Sequence, residues 1–310
     1  MDVQTEKGLK EALGHLESGQ PEKALEIVSS LFETDLDSKE LMYTNRCCNF
    51  WIDIGRRINR ISDPFERSES LLMEWRMFLS FMSRDKFVYE PAFYSFQRGF
   101  FSIALKNYTE FFDSRDPQQK AEAYRKAGIC YKKIGEFENA RECLAEANSL
   151  RQGVAPVLAE LADCYSLCGE DKYGKVLFRE AFFIDPDSIE LDFLDSELIK
   201  CLAGRTAEKG YSGKALLEWI PVYGVIFGIF NIKRELHAQE VGRLKKNIYA
   251  MENEYKDPSC DTASLTPRLL NSYFWLIDHY ILKHEDTAKV NEILLKIKIL
   301  DSSIYGLYMK

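Results

Sequence analysis

The chain has 310 residues, with 46% hydrophobic and 29% charged, proportions ordinary for one sizeable globular body. A formal net charge of -8 argues against a general nucleic-acid binder, because phosphate binding needs clustered Lys and Arg. The one local basic cluster, Lys233, Arg234, Arg243, Lys245 and Lys246, is diluted by Glu235 and Glu240 and reads as a solvated helix face. The first residues, Met1-Asp2-Val3-Gln4-Thr5-Glu6, lack the charged start and apolar core of a signal peptide. A cytoplasmic location is therefore expected, with the eight cysteines as reduced thiols.

In chain order, Ala12, Gly19, Ala24, Val28 and Leu31 give 5–34 a helix–turn–helix spacing, with Gly19 at a helix end and Pro21 at the next start. Segments 38–61 and 64–84 read as a longer helix pair broken at Asp63-Pro64. Segment 90–113 opens on Glu90-Pro91, is crowded with Phe and Tyr, and reads as one long helix. Then one pattern occurs twice, thirty-four residues apart. The first copy has Tyr124, Ala127, Gly128 and Tyr131, then Gly135, Ala140, Leu144 and Ala147. The second has Leu158, Leu161, Ala162 and Tyr165, then Gly169, Gly174, Phe178, Ala181 and Pro186. The i, i+3, i+4, i+7 spacing marks one face of a helix, and the small residues let two backbones approach. Tyr131 and Tyr165 are expected to be largely buried, and Gly128 to sit at a close crossing.

A repeat of this length and pattern resembles the tetratricopeptide (TPR) family. The resemblance covers roughly 121–187, with Gln152 where the family usually has Pro and Gly174 where it has Ala. It implies an all-α fold: a TPR-like right-handed helical solenoid of antiparallel helix pairs over 1–187, with clear repeats at 121–154 and 155–188 and a degenerate one at 5–36. A non-TPR helical extension, 188–310, would pack on the solenoid. By repeat position, the groove-facing residues would be Glu122, Arg125, Ile129, Lys132 and Lys133, then Ala159, Asp163, Ser166 and Leu167. Ile129 and Asp163 stand where the asparagines of a carboxylate clamp would sit, so this groove does not match one that holds a peptide's terminal carboxylate.

After Pro186 the phase is lost. Segment 188–203 reads as a helix, and Gly204 to Gly213 as a loop. From Trp219 to Phe230 no residue is charged. The run is shorter than the about 20 apolar residues of a spanning helix and contains Pro221, Gly224 and Gly228. It reads best as buried chain joining the repeats to the C-terminal helices. The alternative is a membrane-docking or partner-binding patch of Trp219, Ile226, Phe227 and Phe230. Ile232, Leu236, Val241, Leu244, Ile248, Met251 and Tyr255 then describe a long amphipathic helix, and Asp257 to Thr266 a loop. Thr266-Pro267 starts a helix whose Tyr273-Phe274-Trp275 belongs to the core, and Asp286 caps a last helix.

Signatures of catalysis are sparse. There is no Gly-rich phosphate loop, no GxSxG and no HExxH, and His279 and His284 lie five apart, off a shared helix face. Cys164-x-x-x-Cys168 and Cys47-Cys48 lack zinc spacing, so no metal or cofactor is expected. The carboxylates sit mainly on expected outer faces. The expected function is a scaffold or adaptor, not an enzyme, holding a protein or peptide in a concave groove. The alternatives are a membrane-associated assembly factor docking through 219–230, and a divergent enzyme or regulator with a small-molecule pocket in the helical stack.

Overall fold

The computed structural model describes residues 3–84 and 86–310. Among the described residues all regular structure is helical: fifteen α-helices and two short 3-10 turns, with no strand. The all-α expectation holds. Packing divides the chain into two compact units, Met1–Arg151 and Gln152–Lys310.

The first unit contains α1 (Val3–Glu17), α2 (Pro21–Leu31), α3 (Lys39–Ile58), α4 (Pro64–Met82), α5 (Glu90–Thr109), α6 (Pro117–Lys133) and α7 (Phe137–Leu150). Local chemistry sets the starts. The Ser38 hydroxyl accepts the Leu41 N–H, the Asp63 carboxylate the Glu66 N–H and the Asp116 carboxylate the Gln118 N–H, each supplying a partner to an amide the helix itself cannot bond. Proline occupies the first turn of α2, α4, α5 and α6, where a missing N–H costs nothing. Helix α5 packs on α1, α3, α4 and α6. Its Phe96, Phe100 and Phe101 join Trp51, Trp75 and Phe78 in an aromatic core, with Phe78 and Phe96 stacked at 4.1 Å between centroids. The expected helix 90–113 is thus found, ending at Thr109. Helices α6 and α7 form a hairpin turned by Gly135, whose φ of +89° favours glycine. Gly128 faces Leu144 and the Ala140 carbonyl, so the close crossing is real. Tyr131 is only half-buried, and so is Tyr165 in the second unit; small Ala and Gly residues, not these rings, fill the crossings.

The second unit contains α8 (Ala155–Leu167), α9 (Asp171–Ile184), the 3-10 turns Pro186–Ser188 and Leu191–Phe193, then α10 (Glu197–Ala207), α11 (Gly213–Ile226), α12 (Ala238–Glu254), α13 (Thr262–Leu282), α14 (Thr287–Leu300) and α15 (Ser302–Tyr308). Helix α13 is the centre, packed by α11, α12 and α14 and buried almost continuously from Leu269 to Tyr280. Several boundaries depart from the sequence expectation. Helix α10 runs through Gly204, leaving a shorter loop. Helix α12 starts at Ala238, not Ile232, because a capping box between His237 and Glu240 sets the start there. Helix α13 starts at Thr262, since the Asp261 carboxylate accepts the Ala263 N–H; Pro267 therefore lies inside the helix. A final helix, α15, begins where Asp301 accepts the N–H groups of Ser303 and Ile304.

Candidate binding cleft in the second unit

The residues assigned to the groove by repeat position are mostly not on a surface. Ile129 and Ala159 are buried, as are Arg125, Lys132 and Lys133, while Glu122 and Ser166 are half-buried. Arg125 grips the Glu122 carboxylate, its Nε at 3.0 Å from Oε2, and Lys126 reaches Glu69 at 3.1 Å. Asp163 is wholly buried, and its two oxygens accept the backbone N–H groups of Asp195 and Ser196, both at 2.8 Å. That carboxylate anchors the entry to α10, a structural role that repeat position alone does not disclose.

The uncharged run from Trp219 to Phe230 forms the second half of α11 and the turn after it. Trp219, Ile220, Val222, Tyr223 and Phe230 are buried; Ile226 and Phe227 are half-buried. Phe230 folds back over Gly224, where a Cβ would meet its ring at 2.3 Å. Most of the run is buried, as expected, with Val225 to Ile229 half-buried or exposed. Burial of Trp219 and Phe230 takes two of the four anchors from the membrane-docking alternative. Among the described residues no helix is long and apolar enough to cross a membrane.

The second unit instead holds an open cleft of about 960 Å³. Its floor comes from α11 and α13 (Glu218, Pro221, Pro267, Arg268, Asn271), one wall from α12 (Glu240, Arg243, Asn247, Ala250), and another from the end of α9 and the chain after it (Glu180, Asp185). The α12 wall follows from helical spacing, since residues three and four apart share a face. The floor is unusual in having two helix prolines. Pro221 and Pro267 both lie inside their helices and both line the cleft. Each lacks the N–H that would bond the carbonyl four residues earlier, at Leu217 and Ala263.

Two charged pairs dominate the electrostatics. Arg268 donates from Nε to Glu218 Oε1 at 2.8 Å, and its Nη2 bonds both that same oxygen and Asp187 Oδ2, the latter at 3.1 Å. Arg234 clasps both oxygens of Glu240, at 3.2 and 2.8 Å, and lies 3.5 Å from Glu180. Glu218 is 3% exposed, and its pKa is raised, chiefly by burial and further by Asp187 and Asp185, against the lowering pull of the Arg268 guanidinium. Glu240 goes the other way, held down to about 2 chiefly by its hydrogen bonds from Arg234. Two buried acceptors remain without a partner: Glu218 Oε2 and Asn271 Oδ1.

Sequence reasoning missed this site. It placed the carboxylates on outer faces, whereas Glu218 is buried. The available signal was a glutamate set directly against an uncharged helical run, Leu216-Leu217-Glu218-Trp219-Ile220, beside a mid-helix proline. Among the described residues, no group of three or more His, Cys, Asp or Glu is placed to hold a metal ion. No protein-family model matches the chain, and no curated protein matches it.

Proposed function

We propose that the chain is a binding scaffold, not an enzyme, and that the cleft of its second unit receives a segment of another protein. The observation that supports this best is the pairing of an open volume of about 960 Å³ with buried acceptors that no group of the chain satisfies. A buried polar atom without a partner is costly, and a ligand that supplies the partner recovers that cost on binding. Neutral amides on the wall and floor, Asn247 and Asn271, suit the alternating donors and acceptors of a peptide backbone. The hairpins 121–151 and 155–185 resemble tetratricopeptide repeats, a class that serves as rigid recognition scaffold, and this supports the same reading. The protein would act in the cytoplasm, with no cofactor and no nucleic acid.

The test is selection of binders from a random peptide library on the full chain, repeated with Ala250→Trp. Ala250 is exposed on α12 and lines the cleft, so a tryptophan there fills the volume without entering the core. The reading expects enriched peptides with affinities near micromolar, about 8 kcal/mol, that are lost on the variant. Enriched peptides that bind Ala250→Trp unchanged would place the site elsewhere.

A further inference from the structure

We infer that the segment received by the cleft presents a cationic side chain, a lysine ammonium or arginine guanidinium, to the Glu218 carboxylate oxygen that Arg268 leaves unpaired; this rests on the binding-scaffold reading above. Three observations converge on it.

The first is geometric. Arg268 directs both Nε and Nη2 at one oxygen of Glu218, Oε1, and leaves Oε2 without a donor. A guanidinium that met the carboxylate side by side would satisfy both oxygens; this one does not. Glu218 is nine-tenths buried and more, and the residue lines the cleft.

The second is a charge deficit. Arg268 is shared between Glu218 and Asp187, and Arg234 between Glu240 and Glu180. Each arginine therefore serves two carboxylates, and each cluster is one positive charge short. Arg243 adds one cation, exposed at the rim on α12, and Asp185 adds another anion. An acidic or phosphorylated segment would meet the surplus carboxylates; a basic one complements them.

The third is the surplus of acceptors. Asn271 Oδ1 on the floor is also buried and without a partner, so two unpartnered acceptors stand against one unpartnered donor, Arg234 Nε. An ammonium offers three donors and no acceptor, and a guanidinium five. Either brings donors and no acceptor, whereas a neutral amide brings an acceptor along with its donors.

The probes are blocked single residues, the Nα-acetyl methylamides of lysine, arginine, norleucine and glutamate. They are titrated at millimolar concentration into the full chain labelled at Leu and Met methyls. Leu236, Leu244 and Met251 line the cleft and report occupancy. The lysine or arginine derivative should bind about tenfold tighter than norleucine, the worth of one charge-assisted hydrogen bond to a buried oxygen. Glu218→Gln should abolish that preference. Equal binding of lysine, arginine and norleucine derivatives to the unaltered chain overturns the inference, with no variant needed. So does a cation preference that survives Glu218→Gln. If library selection yields neutral or acidic peptides that Ala250→Trp expels, the scaffold reading stands and the cation inference alone falls; if nothing binds the cleft, both fall.

Discussion

Replacing Gly99 by alanine should be among the most damaging single changes in the first unit, although alanine is the better helix former. A Cβ at Gly99 on α5 would lie 2.0 Å from the Leu16 carbonyl oxygen, 3.1 Å from the Glu17 carbonyl and 2.8 Å from the Trp51 ring. The nearest atom is backbone of α1, so it cannot swing aside. The two helices must part by about 1 Å, and close-packed interiors resist that. Overpacking of this kind costs about 1–3 kcal/mol or more, set against roughly 1 kcal/mol gained in helix propensity. The net expectation is a loss of about 2 kcal/mol. Gly14, on α1 itself, has no atom within 4 Å of its would-be Cβ. Gly14→Ala should therefore stabilise by about 0.5–1 kcal/mol. Gly128→Ala falls between, because its nearest contact is the Leu144 side chain at 2.6 Å, which can turn. Urea unfolding followed by far-UV circular dichroism, with m-values compared across the three variants, measures the order. A Gly99→Ala midpoint equal to or above that of Gly14→Ala would refute the packing argument.

Other expectations follow from the buried charges and thiols. Asp278→Ala strips the partner from Arg179, which is 2% exposed and 2.5 Å from that carboxylate, and should cost about 3–5 kcal/mol in thermal or chemical unfolding; a loss below about 1 kcal/mol contradicts this. Glu240, with its folded-state pKa at about 2, stabilises above its ordinary range near 4.5 and loses that contribution as pH falls from there through 2. Glu240→Gln should therefore flatten the decline in stability between pH 5 and pH 2, by under about 1 kcal/mol because the pair is part-exposed; a steeper decline contradicts it. Among the cysteines, exposed Cys201 should alkylate first, while burial holds Cys47, Cys48 and Cys130 as thiols, Cys48 pushed up to about 12. Mass spectrometry of briefly alkylated native protein reads the order.

Much of the helix content was legible because it rests on local chemistry. The caps at Asp63 and Asp286 and the prolines at helix starts act within one or two turns, and the small residues at the Gly128 crossing meet across a single hairpin. The errors came where two local signals competed. Thr266-Pro267 looked like a cap and first turn, but the Asp261 carboxylate already held an amide of an earlier turn. Ile232 and Leu236 kept the helical spacing, yet the His237–Glu240 box started α12 after them. The cleft was illegible for a different reason. It joins Glu218, Arg234, Glu240 and Arg268 from separate elements, and the pairing of Glu218 with Arg268 spans fifty residues of chain. Nothing in spacing or composition reports that one oxygen of Glu218 is left over. The groove residues carried over from the repeat failed as surface for a related reason: repeat position gives a helical face but not what covers it, and Asp163 turned out to anchor α10.

The most direct test of the central claim is methyl NMR of the full chain during titration with a library-selected peptide. Leu236, Leu244 and Met251 line the cleft, while Ile129 marks the groove assigned by repeat position. The account expects saturable shifts at the three cleft methyls, with Ile129 unmoved. Shifts at Ile129 with the cleft methyls silent would contradict it.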